Sequence, residues 1–498
     1  MTMTPTQALR AYCDAFAAGN VAAIADLFAP DAVVDLPLVG ARMTGHAEVM
    51  HEVESAVRGL KDIRVQIGHA IEGENDVIAE GAFWSELVGA GTKVDGTPER
   101  ADFRFVVVLE IKDGRIARLS EYLDTKPVKP WERQRIIPTS VRRSPYWDGS
   151  IAAGAVEFMA YNRTTFPMIY SRTPYEDYVA LTQRVTMWDV GCERQAHIKG
   201  PDALAFADYL VARDISRLAV GACRYSFVCD PDGQILCDPV ILRPWEDTIW
   251  LSHGDVDLHL WARGLAMGSG FDVAVCEPDV APLQIQGPLC VEMLRPIVEG
   301  PVDDLKFYRC MVTKVAGIEA VVSHTGWSGA LGFEIYPTSS TRAMELWDAL
   351  LEAGKPHGLV VTGPNVHRAV EKNVTDTAYF TNSGMNPFEA GGERLVDLDK
   401  GDFVGREALL KIREQGARRQ TVGLLIEGDL PRLEWFWPLT DAAGRQGTVR
   451  WAMHSFALDR SVGIALVDAA VKVGDSVEVH HPLATVKAQV TTLPFVED

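Results

Sequence analysis

Cys237 and Asp238 stand side by side, a thiol next to a carboxylate, and either could take part in group transfer. A cysteine attacks as its thiolate and needs a base or a nearby positive charge to form one. Nothing close to Cys237 in sequence supplies a base, so an inert buried thiol is expected there. The other seven cysteines, Cys13, Cys192, Cys223, Cys229, Cys276, Cys290 and Cys310, make no C-x-x-C pair. This usage predicts reduced thiols in a cytoplasmic chain, with neither a disulfide framework nor a metal ribbon. Nearer the start, Asp35, His46 and Asp102 could line a pocket, against the commoner fate of polar residues as caps or surface groups.

A different kind of signal lies at 126–150, KPVKPWERQRIIPTSVRRSPYWDGS. Lys126, Lys129, Arg133, Arg135, Arg142 and Arg143 gather there with Pro127, Pro130, Pro138 and Pro145. The composition reads as an ordered, solvated tether, with contact to an anionic ligand tail or to the other domain as the sharper alternative.

The whole chain is acidic: 498 residues carry 48 Lys+Arg against 68 Asp+Glu, a net charge of −20. That balance argues against nucleic acid and anionic membrane surfaces as partners. The longest apolar runs, such as Phe105 to Leu109, are strand-sized and far short of the ~20 residues a membrane span needs. No basic and apolar leader pattern is read at the N-terminus. At roughly 150 residues per domain, about three domains are expected.

The elements that must position these groups follow from periodicity. Leu9, Tyr12, Phe16, Ile24, Leu27 and Phe28 form a helical stripe broken at Gly19-Asn20. A strand from Asp31, a helix around Ala47 to Leu60 and alternating runs at 63–71, 77–87, 100–112 and 115–123 follow. Asp113-Gly114 between the last two is a hairpin signal. Helices followed by a curled antiparallel sheet make an α+β unit over 1–125. From 151 to about 410 strands and helices mix. Strands are expected at 195–199, 225–229, 235–242, 248–252, 273–276, 283–286, 311–315 and 319–323. The stretch 411–498 is strand-rich and predicts a small β-barrel.

The first unit resembles the SnoaL-like branch of the NTF2-like superfamily. Ala11-Tyr-Cys-Asp-Ala-Phe-Ala-Ala-Gly-Asn20, Leu27-Phe-Ala-Pro-Asp-Ala-Val33 and Gly45-His-Ala-Glu48 carry that likeness. It implies a helix-backed cone enclosing a pocket. The remainder, from about 140, resembles the glycine-cleavage T-protein (aminomethyltransferase) family. Trp188-Asp-Val, Gly200-Pro-Asp-Ala203, Gly221-Ala-Cys-Arg-Tyr225, Gln286-Gly-Pro288, Thr325-Gly-Trp-Ser-Gly329, Gly332-Phe-Glu-Ile335, Asn386-Pro-Phe-Glu389 and Lys400-Gly-Asp-Phe-Val-Gly405 follow in register. Cys237-Asp-Pro-Val240 and Glu277 to Gly287 are similar to its folate-dependent demethylase branch, typified by dimethylsulfoniopropionate demethylase.

This second resemblance implies an α+β multidomain protein whose three-lobed ring holds tetrahydrofolate in a central hole. It implies Glu334 as the carboxylate that accepts the N–H groups of the pterin edge, with Trp327 beside it and Glu371 as a second folate position. It implies Asp238 near the nitrogen that receives the carbon, where it would stabilise charge and then take a proton. The donor would be a small methylated molecule. A sulfonium or betaine leaves as a neutral group and needs no acid; a methoxyaryl ether wants a proton, for which Tyr225 or His253 are candidates. Tyr161, Tyr170, Trp188 and Tyr225 are candidates to face a cationic donor.

Three departures from the family stand out: His324 in place of an Arg, Asn373 in place of a Gly, and an unfamiliar stretch from Val374 to Gly384. The expectation is a tetrahydrofolate-dependent demethylase, the N-terminal unit serving capture, closure or homodimerisation. Competing expectations are a cyclase, isomerase or lyase acting in the SnoaL-like pocket, a folate-binding protein without turnover, and lipoyl-protein-dependent aminomethyl transfer.

Overall fold

The computed structural model describes residues 3–39, 41–88, 100–123, 141–375, 377–431, 433 and 435–497. The chain divides into two units, Met1–Ile136 and Ile137–Asp498. Residues 126–140 of the expected tether lie outside the described residues.

In the first unit, helix α1 (Pro5–Ala17) starts at a capping box in which Thr4 and Gln7 bond reciprocally, satisfying two N–H groups a helix start leaves open. Gly19, at φ +65°, ends the turn, and Asn20 caps α2 (Val21–Leu27) by accepting from Ala23 N–H at 3.1 Å. Strands β1 (Phe28–Leu36) and β2 (Ala41–Thr44) precede α3 (His46–Arg58). Then come β3 (Leu60–Glu72), β4 (Asp76–Leu87), β5 (Arg100–Lys112) and β6 (Arg115–Leu123). The sheet order is β2-β1-β6-β5-β4-β3, antiparallel except for the β1–β6 pair. Asp113 and Gly114, both at positive φ, make the tight turn that the hairpin signal called for. Leu9, Ile24, Phe28, Val49, Leu109 and Leu119 close the core between helices and sheet.

The described residues of the second unit form two large sheets, two two-stranded ribbons (Ala155–Tyr161 with Thr164–Tyr170, Val228–Cys229 with Ile235–Cys237) and a barrel. One sheet runs Cys223–Tyr225, Val240–Trp245, Thr248–His253, Arg194–Lys199, Ala274–Cys276. The other runs Cys310–Val315, Ile318–Ser323, Gly332–Pro337, Leu283–Gln286, Thr186–Asp189, Val360–Val361. Six strands between Arg419 and Thr491 close into a barrel, which removes its open edges.

Two expected strands break where the site needs them to. The run 225–229 divides into Cys223–Tyr225 and Val228–Cys229, and 235–242 divides into Ile235–Cys237 and Val240–Trp245. Asp238 is therefore not a strand residue; it occupies the break with Pro239, which has no N–H to give to a ladder. A strand not anticipated, Gly332–Pro337, is buried along its whole length and carries Glu334 into the interior.

Among the described residues no helix is long and apolar enough to cross a membrane, and no cluster of three or more His, Cys, Asp or Glu has metal-binding geometry.

Candidate active site

The second unit encloses a cavity of about 1180 Å³ whose wall includes Glu193, Tyr225, Asp238, Glu334, Trp327 and Thr377. Asp238 is held from two sides. The Tyr225 hydroxyl donates to its Oδ2 at 2.8 Å, and the Thr377 hydroxyl donates to its Oδ1. Thr377 opens the short helix Thr377–Thr381, so the unfamiliar stretch after Val374 builds part of the wall. Gly254 explains how this crowding is tolerated: a Cβ there would lie 2.5 Å from Thr377 Oγ1 and 2.7 Å from the Tyr161 hydroxyl.

Glu334 sits opposite Gln284 on one neighbouring strand and Ser323 on the other. Gln284 Nε2 donates to its Oε1 at 2.7 Å, and Tyr336 and Thr325 hydroxyls donate to its Oε2, the former at 2.7 Å. Burial raises the Glu334 carboxyl, and these donors work in the opposite direction. Gln284 Oε1 is a buried acceptor without a partner among the described residues, beside that carboxyl. The Trp327 indole is fixed by its N–H, which donates to Thr375 O at 3.0 Å, and its ring meets Trp451 at 6.0 Å between centroids.

Glu193, which sequence reading passed over, is a further carboxyl on this wall beside Asp238 and Glu334. Burial, then the charges of Glu334 and Asp238, push it well above the ordinary carboxylate range. The Glu193-Arg-Gln run carried no motif by itself; only the fold brings it to two residues far away in sequence. Arg368, Lys372 and Arg394 also border the cavity and supply its positive charge.

Other candidates fall elsewhere. Glu371 does not line the cavity. It is fully buried, accepts from Ser455 Oγ at 2.7 Å, Ala457 N at 3.0 Å and the Tyr178 hydroxyl at 2.7 Å, and so ties its helix to the barrel. Both its oxygens are engaged by these donors, and it faces the barrel side of its helix rather than the cavity. Tyr161 and Tyr225 border the cavity, whereas Tyr170 and Trp188, each 1% exposed, belong to the core.

His253 borders the cavity but has no proton to give. Its Nδ1–H donates to Gly254 O at 2.8 Å, burial lowers it to about 4, and Nε2 is bare. Cys237 is fully buried with its thiol raised by burial and by Asp238, the state of an inert thiol. Asn373 takes φ +55°, a left-handed conformation that Asn tolerates better than most, which accounts for its standing in for Gly. His324 donates from Nδ1 to Leu305 O at 2.7 Å and stacks near Phe333.

In the first unit Asp35 is paired with Arg118 at 2.9 Å, His46 donates to Ala25 O at 3.0 Å, and Asp102 is exposed. None of the three lines that unit's cavity.

Comparison with known proteins agrees with this architecture. Residues 148–400 match the GCVT N-terminal domain, 419–497 the glycine cleavage T-protein C-terminal barrel domain, and 9–119 the SnoaL-like domain. The chain is 36% identical over 329 residues to dimethylsulfoniopropionate demethylase DmdA of Ruegeria pomeroyi, covering 66% of this chain and 90% of that one. It is 32% identical over 362 residues to an aminomethyltransferase of Moorella thermoacetica, covering 71% and 98%. The glycine cleavage system aminomethyltransferase T of Bartonella henselae has the same fold over 72% of this chain and 99% of its own, with TM-score 0.65 and 23% identity. The chain therefore belongs to the glycine-cleavage T-protein family, with a SnoaL-like domain ahead of the family body.

Proposed function

We propose that this protein is a tetrahydrofolate-dependent demethylase that moves a methyl group from a small methylated donor to the folate. The observation that carries the reading is the meeting of Asp238 and Glu334 on one cavity, with the unpartnered Gln284 Oε1 next to Glu334. An acceptor pair of this kind fits the N–H-rich edge of a pterin. Tetrahydrofolate, when bound, supplies the nucleophilic nitrogen.

In this reading Glu334 and Gln284 hold and orient the pterin by its polar edge. Trp327 offers an indole to a ring system. Arg368, Lys372 and Arg394 are suited to an anionic tail. Asp238 stabilises positive charge opposite its carboxylate and takes the proton at an oxygen. Tyr225 and Thr377 keep that carboxylate aimed. The methyl-transfer machinery then occupies 151–410 with the barrel at 411–498, and 1–125 is an accessory domain.

The wall also supports a choice among donors. His253 carries its one proton toward Gly254 O, and the Tyr225 proton is directed to Asp238. A methoxyaryl donor would find no ready acid in these two side chains, whereas a sulfonium or betaine needs none. Its positive charge would also be welcome near Asp238.

The test is incubation of the full chain with tetrahydrofolate and a panel of sulfonium, betaine, methoxyaryl and lipoyl-carried aminomethyl donors. Methylfolate from an onium donor is the expected product, read by mass spectrometry. Turnover only with the lipoyl carrier would reassign the chain to aminomethyl transfer. Absence of methylfolate together with absence of folate binding by calorimetry would end the reading.

A further inference from the structure

The first unit has a cavity of its own, about 220 Å³ in volume, well above the roughly 10–15 Å³ that one water needs. Its wall is aromatic: Tyr12 and Phe16 from α1, Phe83 from β4, Phe103 and Phe105 from β5. Phe83 and Phe103 stack at 4.8 Å between centroids, and Phe16 stands edge-on to Phe83 at 6.4 Å.

One acid interrupts this surface. Glu121 lies on β6 between Leu119 and Leu123 along the inward-facing alternation, opposite Val107 of β5. That register calls for an apolar side chain. Among the described residues none hydrogen-bonds or ion-pairs with the Glu121 carboxyl, and no Lys, Arg or His lines the cavity. The groups facing it are Tyr12 and Cys13 from α1, Glu52 from α3, and the apolar Phe83, Phe105 and Val107 from β4 and β5. Burial pushes Glu121 up to about 7, and its charge in turn helps raise Tyr12 and Cys13.

A carboxyl left without a partner in an apolar wall costs stability, so such a group is rare unless a ligand completes it. Aromatic faces attract a cation, and those of alkylated onium ions above all, because these ions carry charge without demanding hydrogen bonds. We propose that this cavity binds a small alkylated onium cation, with the charge against Glu121 and the alkyl groups against the rings. Glu52 adds a second negative charge at the same wall. The proposal is independent of folate chemistry in the other unit and stands or falls separately from it.

Calorimetry on the full chain tests it with two probes of nearly equal shape, choline and its neutral carbon isostere 3,3-dimethylbutan-1-ol. Choline is expected to bind and the isostere to bind at least about tenfold more weakly. With Glu121 near 7, ionisation rises about tenfold between pH 6 and pH 8, and choline affinity should rise with it. Glu121→Gln should lower choline affinity about tenfold while folding at least as well, since it removes a buried acid. Phe103→Leu, with an apolar wall retained and folding checked by thermal unfolding, should lose affinity several-fold. Equal binding of the two probes, an affinity that falls with pH, or a choline isotherm unchanged in Glu121→Gln would each overturn the proposal. Those Glu121→Gln data also separate this site from any choline bound at the acidic cavity of the second unit.

Discussion

The Tyr225 hydroxyl stands 2.8 Å from Asp238 Oδ2 and donates to it, across a gap that two interrupted strands create. This contact orders the residues by expected effect. Asp238→Asn keeps the shape but loses the proton acceptor, and turnover should fall about 10²–10⁴-fold. Folate affinity measured by calorimetry should change little. Tyr225→Phe removes only the aiming bond and should cost about tenfold in kcat. Equal, mild losses from both would contradict these roles.

Glu334 makes the opposite forecast. Glu334→Ala should weaken tetrahydrofolate binding by about 10–100-fold, the worth of hydrogen bonds to a charged group. Gln284→Leu should act in the same direction through the lost orphan acceptor. Fluorescence or calorimetric titration reads both, and unchanged affinity in the two variants would remove the pterin edge from this wall.

Glu371 should behave as a structural group. Glu371→Ala strands Arg368 beside an empty space and removes the acceptor of Ser455, Ala457 and Tyr178. A loss of about 3 kcal/mol or more is expected from breaking a buried charged network. Thermal unfolding should show it, while folate affinity of the folded fraction stays within about twofold.

Acid sensitivity should carry a His253 signature. Its folded pKa is lowered to about 4 from an ordinary 6.5, so the unfolded chain binds the extra proton first as pH falls. The contribution is fully present above about 6.5 and is lost as pH drops toward 4, amounting to about 3 kcal/mol by linkage. His253→Gln should flatten that part of the stability profile in denaturant unfolding from pH 7 to pH 4.

Cys237→Ala should leave turnover within about twofold, since the thiol is fully buried and unactivated. Loss of activity disproportionate to a change in melting temperature would instead make it part of the chemistry.

Local pattern was enough for much of this protein. Periodicity and turn chemistry placed the helices of the first unit, the Asp113-Gly114 hairpin and most strands of the second, because amphipathic spacing and positive-φ glycine act over a few residues. Motif order singled out Glu334, Trp327, Asp238 and Tyr225, and the fold gathers all four on one cavity wall. Tertiary structure decided the rest. Glu193 and Gln284 reach the cavity only because sheet pairing brings distant strands together, while Glu371 is turned to Ser455, Ala457 and Tyr178. Glu121 reads as an ordinary surface acid until the sheet curls and turns its face inward. Burial, and with it the proton affinity of these acids, is set by neighbours tens or hundreds of residues away, and that is why it could not be read from the chain alone.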